Sequence, residues 1–256
     1  MTKKQNNSDI IYESFKKWSE KNWKDTIEKH SKEIEEFFMK LNSLDIWSNL
    51  LQDIDSNRNL IPELFLDSYM GLIFACQGLY KYAFICLRSQ LEITLRVIYF
   101  SNHPIEYGWW LEGRRWYLKK GMDVWGEEFN YFRRLKSISD FNSELPNENN
   151  NIINDIQNSY KRLSKYVHGS PHTFQSKDSM ISPFYSIEAF KFWMSKSIEM
   201  LEYINLLFIL GFEDKFHTLP DQQKNKIFDF IKSSRYNEAI SKIYGKTNMD
   251  TTKKNN

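Results

Sequence analysis

The sequence predicts an all-α protein. Long runs place apolar residues three and four positions apart, the spacing of one helix face. Only nine Gly and six Pro occur in 256 residues, too few for the tight turns of a sandwich or barrel. Aromatic residues make up 16% of the chain against an apolar fraction of 41%, so large contact surfaces are available for a packed core. A chain of this length buries a sizeable core in one or two domains.

The elements follow in order. Residues 1–8 and 246–256 are polar and rich in Lys and Asn, so both ends are expected to fray. Residues 9–54 carry helical spacing, with Ile34, Phe37, Phe38, Leu41, Leu44 and Trp47 on one stripe and Lys/Glu neighbours on the other. Ile61-Pro62 is expected to open the next helix, with proline in a permitted first-turn position. That run continues to about Tyr99 with a break near Gly78-Leu79-Tyr80, and Ser101-Asn-His-Pro104 ends it. Tyr107 to Ser137 is dense in aromatics and arginines and predicts two short helices parted near Gly121 to Gly126. Asp140 to Asn151 reads as a polar loop. Helix resumes at about Asn151 and stops at Gly169, a residue suited to a helix end. Ser170 to Pro183 is a second loop, a helix follows from Ile187 to Leu210, and shorter helices cover about 220–244. The long helices near 62–100, 151–168 and 184–210 form the expected bundle.

Charge and cysteine content narrow the function classes. Thirty-five basic and 33 acidic residues give a net charge of +2, so any RNA-binding surface is a local patch. Cys76 and Cys86 stand ten residues apart without a CxxC pair, which gives neither a zinc signature nor a disulfide framework. They read as small buried hydrophobes in a reducing, cytoplasmic compartment. MTKKQNNSD is followed by no hydrophobic segment, so no signal peptide is expected. The most apolar window, about Leu64 to Phe100, is broken by Asp67, Gln77, Lys81, Arg88, Glu92 and Arg96 and predicts a buried helical pair rather than a membrane span. No P-loop, GxGxxG, HExxH or nucleophile elbow is present, and no metal or cofactor is expected.

The most informative stretch is Tyr160-Lys-Arg-Leu-Ser-Lys-Tyr-Val-His-Gly169. On a helix, Ile152, Ile156, Tyr160, Leu163 and Val167 fall within a stripe of about 100°, wide enough for a core face. Arg162, Lys165 and His168 lie outside it on a polar arc. A histidine held there beside two cations is free to titrate or to meet an anion. The plainer alternative is a solvated Arg162 and Lys165 with His168 near a helix C-terminus, where its charge is favourable.

Other candidates are spread along the chain. Arg88, Glu92 and Arg96 at i, i+4 and i+8 form a charge ladder on a mostly apolar helix. Alternatively, Glu92 orients His168 or Arg162 and Arg88 borders the same cleft. Trp109 to Arg115, with Arg114 and Arg115 followed by Arg133 and Arg134, mixes aromatic faces with guanidiniums and suits RNA; a packed aromatic cluster with rim arginines is the other reading. His172 follows in the next loop, where it either joins His168 or is simply solvated. His30, His103 and His217 have no companions at ligand spacing.

Two segments carry a family resemblance. Leu87-Arg-Ser-Gln-Leu-Glu92 resembles the "LRS-x-LE" helix of the HEPN superfamily, helical-bundle domains found in many toxins and phage-defence proteins. Arg162 and His168, with five residues between them, resemble the terminal-helix motif of that superfamily, in which an Arg precedes a His by four to six intervening residues. The resemblance covers roughly residues 62–210. It implies an N-terminal helical extension over 1–60, a HEPN-like bundle over 61–211, and C-terminal helices with a disordered tail over 212–256. It also implies a homodimer, or a component of a larger defence complex, that joins Arg and His from two protomers into a metal-independent endoribonuclease site. Arg162 and His168 would then be catalytic, with Arg88, Glu92, Lys165, Tyr166 and His172 in support. The sequence departs from the pattern at Leu163, where catalytic members usually carry a polar residue. That departure opens a second expectation, a non-catalytic HEPN-like module binding a partner protein or nucleic acid.

Overall fold

The computed structural model describes residues 7–113, 126–146, 151–167, 185–231 and 234–245. Among them are twelve helices and no strand. They are α1 (Asn7–Leu41), α2 (Ser43–Leu50), α3 (Asp55–Cys76), α4 (Tyr80–Asn102), α5 (Pro104–Leu111), α6 (Gly126–Arg133), α7 (Lys136–Ser143), α8 (Ile152–Val167), α9 (Ile187–Gly211), α10 (Glu213–His217), α11 (Asp221–Phe230) and α12 (Ser234–Tyr244). The protein is an all-α helical bundle, as the periodicity predicts.

The α3–α4 hairpin turns at Gly78, whose φ of 73° suits a residue without Cβ. Leu79 N–H reaches back to the Phe74 carbonyl at 2.8 Å and Gly78 N–H to Ala75 at 3.0 Å, a Schellman ending that folds the chain back on itself. Glycine recurs where the hairpin meets α9. A Cβ at Gly71 would lie 3.3 Å from both Cys86 Cβ and Trp193 Cζ2, so its absence is what lets α3, α4 and α9 approach. Cys76 and Cys86 are buried free thiols, and burial pushes both up to about 12.

At the centre lies α9. Every residue from Met200 to Leu210 is buried, including Glu202 and Asn205, the pattern of a helix packed on all sides. Asn205 makes this burial tolerable by accepting from Trp47 Nε1 at 2.9 Å and donating to Ser43 Oγ at 3.0 Å, which pins α2 against α9. One apolar core therefore runs from Ile34 and Phe37 in α1 through α4 and α9 to Phe228 and Ile240 near the C-terminus. A buried lysine joins the outer helices: Lys40 at the end of α1 donates to the Phe230 carbonyl at the end of α11, at 2.9 Å, where a cation is favourable.

Several boundaries differ from the sequence reading. Proline 62 does not open α3; the helix begins at Asp55 and Pro62 is its eighth residue. Ile54 is extended and Asp55 supplies an acidic first turn, so the helix starts on those signals and tolerates one missing N–H further in. The predicted loop from Asp140 begins later, because α7 continues to Ser143. Phe38 is not core but half-exposed, packed beside Tyr69 at 5.8 Å. No helix among the described residues is long and apolar enough to cross a membrane.

Candidate functional site

Two asparagines start α8. Asn151 Oδ1 accepts from Ile153 N–H at 2.9 Å, and Asn142 Oδ1 accepts from Ile152 N–H at 3.0 Å, satisfying two of the free amides at the helix start. The stripe expected from the sequence is the one that packs: Ile152, Ile156, Tyr160 and Leu163 are all buried. Leu163, in the position where a polar residue would suit a site, is only 3% exposed. Arg162 and Lys165 are exposed. His168 and His172 lie outside the described residues, as do Arg114 and Arg115.

The stripe separates two polar faces of α8. On the α4 side, Tyr160 donates to Glu92 Oε1 at 2.9 Å, and Arg88 Nε donates to the same oxygen at 3.0 Å. The Arg88 guanidinium also lies 4.7 Å from the Tyr160 ring centroid, a favourable cation–π contact. Burial, followed by the Glu92 charge and hydrogen bond, pushes the Tyr160 hydroxyl up to about 12. It therefore stays a donor across neutral pH. Nearby, burial raises the Asp67 carboxyl, Ser89 partly relieves it, and Glu63 and Glu92 add to the rise. Its Oδ2 is buried without a hydrogen-bond partner among the described residues.

The opposite face carries Arg162. Two residues beyond Tyr160 is a rotation of about 200°, so Glu92 does not orient Arg162 and instead holds α8 to α4 through Tyr160. The charge ladder is formed in part, with Arg88 and Glu92 ion-paired. Arg162 stands over the groove between α8 and α9, where no hydrogen bond or ion pair with a described residue fixes its guanidinium. It borders two cavities. One, of about 300 Å³, is walled by Leu163, Tyr166, Phe192 and Met200 and edged by Lys196 and Glu199. The other, of about 330 Å³, adds Asp155, Glu202, Tyr203 and Tyr236. Glu199 lies in both. Its Oε1 accepts from Ser159 Oγ at 2.8 Å, and Lys196 pairs with Oε2. Across the second cavity Tyr236 donates to Asp155 at 2.7 Å, tying α12 to α8.

The remaining sequence candidates fall into place around this groove. Tyr166 stacks on Phe84 at 4.5 Å and meets Phe192 edge-on at 5.9 Å, so it forms the groove wall rather than a free hydroxyl site. Burial raises it while the Arg162 charge lowers it. Arg133, the last residue of α6, and Arg134 after it are exposed. Arg133 borders a third cavity with Asn151 and Ile153, about 13 Å along α8 from Arg162 by helix rise. Trp110 packs on Phe100 at 5.6 Å and Tyr107 at 6.0 Å and is partly exposed, combining both readings of that segment.

The sequence reading passed over Ser159, Lys196 and Glu199, which complete the Arg162 groove. Their only sequence signal is polarity at one edge of an apolar helix, which does not say what they face. His30, which has no companions at ligand spacing, is a buried residue where α1 bends (φ −132°, ψ 21°). His30 bonds Tyr185 Oη at 2.8 Å and stacks on Phe190 at 4.5 Å. Tyr80 Oη, accepting from Ser186 N–H at 3.2 Å, fixes the neighbouring residue, so the entry to α9 is anchored from two helices. Among the described residues no group of three His, Cys, Asp or Glu is placed to hold a metal ion. Comparison with protein-family models, with curated proteins and with solved structures finds no match to the chain.

Proposed function

We propose that the chain is a HEPN-like, metal-independent endoribonuclease of a cytoplasmic defence or toxin system, acting as a homodimer or within a larger complex. The observation that carries this reading is Arg162, an exposed guanidinium without a fixed partner among the described residues, over a groove one helical turn or two before His168 in the sequence. A planar fork of donors matches phosphate oxygens and stabilises charge that builds on them. In the proposed step, the His168 imidazole takes the proton of a ribose 2′-OH. The 2′ oxygen bonds to phosphorus and the P–O5′ bond breaks. The leaving 5′ oxygen receives a proton from the second protomer's imidazolium or from water. The products are a 2′,3′-cyclic phosphate and a 5′-OH end. The resemblance around Leu87–Glu92 and Arg162–His168 supplies the defence and toxin setting.

The test is cleavage of single-stranded RNA by the purified chain in chelator, with its activator supplied. Arg162→Ala and His168→Ala should each lower the rate by about 10²-fold or more with melting temperature unchanged. Absence of cleavage, or full cleavage by both folded variants, overturns the proposal. Burial of Leu163 favours a second reading, a bundle that binds a partner without chemistry. Under it both variants keep their biological activity.

A further inference from the structure

We infer that the cavity between α8 and α9 is a base pocket selective for guanine in single-stranded RNA, with Arg162 holding the adjoining phosphate at its mouth. This rests on the RNA reading above and adds to it what the site would recognise. The cavity, about 300 Å³, is at the small end for ligand pockets and suits one planar ring rather than a dinucleotide. Its walls are apolar and aromatic through Leu163, Tyr166, Phe192 and Met200, as base burial requires. Unstacked bases are read on their exposed edges, so the polar rim decides which base fits.

That rim is a donor beside an acceptor. Lys196 and Glu199 are ion-paired at the cavity edge, with side chains 24% and 28% exposed. Both are partly buried, where a hydrogen bond is stronger than in open water, and both remain reachable from the cavity. Ser159 holds Glu199 in place through Oε1, and each carboxylate oxygen retains a second lone pair. Guanine presents the complementary row: a carbonyl acceptor, O6, beside two donors, N1–H and N2–H. A carboxylate takes both donors while an ammonium takes O6. Cytosine and adenine offer this pair one amino donor and one ring acceptor. Uracil offers a single N–H between two carbonyl oxygens, which repel a carboxylate. The order expected is guanine first and uracil last.

The experiment uses the full chain and fluorescein-labelled 2′-O-methyl pentamers, UUGUU, UUAUU, UUCUU and UUUUU, whose blocked 2′ oxygen prevents cleavage. Anisotropy should show UUGUU binding about tenfold tighter than UUUUU. Glu199→Gln, which keeps the shape but presents one acceptor, should remove most of that preference. Ser159→Ala, which frees the carboxylate, should weaken it, and Arg162→Ala should lower affinity for all four pentamers alike. Equal affinity of the native chain for all four overturns the pocket while leaving RNA binding standing. A preference for another base, or a guanine preference surviving in Glu199→Gln, overturns the assignment of Glu199. Failure of every pentamer to bind overturns the RNA reading and the pocket with it.

Discussion

Replacing Tyr160 with phenylalanine removes one hydroxyl from the link between α8 and α4 and leaves the packing in place. The lost bond is a 2.9 Å donation to a carboxylate that also takes Arg88 at 3.0 Å. Hydrogen bonds to charged groups contribute about 1.5–3 kcal/mol. Glu92 is 28% exposed and keeps its arginine, so the lower half of that range applies, about 1.5–2 kcal/mol. For a chain of this size that lowers the melting temperature by roughly 2–4 °C per kcal/mol. The pH dependence sharpens the test. The Tyr160 hydroxyl is raised in the folded state from 10.0 to about 12, so its contribution is present in full below pH 10 and is lost as pH climbs from 10 to about 12. Melting curves of the native chain and Tyr160→Phe should therefore converge over that interval. A double-mutant cycle with Glu92→Ala, which removes the acceptor, assigns the loss to the pair. If Tyr160→Phe costs as much in the Glu92→Ala background as in the native one, the bond does not join these helices and the reasoning fails.

Other perturbations probe the same packing. Gly211→Ala places a Cβ within 2.8–3.0 Å of three Ile98 carbons. Because Ile98 is fully buried, denaturation should show a loss of about 1–3 kcal/mol; a neutral result would mean that α9 and α4 are less close there. Asp67→Asn should raise the melting temperature at pH 7, because the native carboxyl is raised above 3.8 by burial and its Oδ2 lacks a partner among the described residues. The penalty is absent below pH 3.8 and grows as the group ionises, so the gain should vanish in acid. A gain that persists there would place the cause elsewhere. Cys76 and Cys86, buried and pushed up to about 12, should resist a thiol reagent at pH 8 until the chain unfolds; rapid native labelling would contradict their burial.

Much of the fold is legible in the sequence because helical periodicity is local. The core stripe of α8, the break at Gly78 and the burial of both cysteines follow from spacing and residue type alone. Leu163 is an example: its place in the 3.6-residue repeat puts it in the core whatever the rest of the chain does. Pro62 and Asp140 were misplaced because helix ends depend on competing local signals, here the Ile54–Asp55 start and the packing of α7.

The groove belongs to the tertiary structure. Sequence alone assigns Arg162 to a polar arc, but that arc has two sides, and only helix packing decides that Tyr160 meets Glu92 while Arg162 meets the α9 edge. Ser159 and Glu199 are 40 residues apart and share a hydrogen bond because the fold lines one groove with side chains of α8 and α9; Trp47, Ser43 and Asn205 join the chain across still longer separations. Periodicity says which residues leave the solvent. Which polar groups they bring with them is set by the partner helix, since a carboxylate or guanidinium takes its role from the charges and donors that packing places beside it.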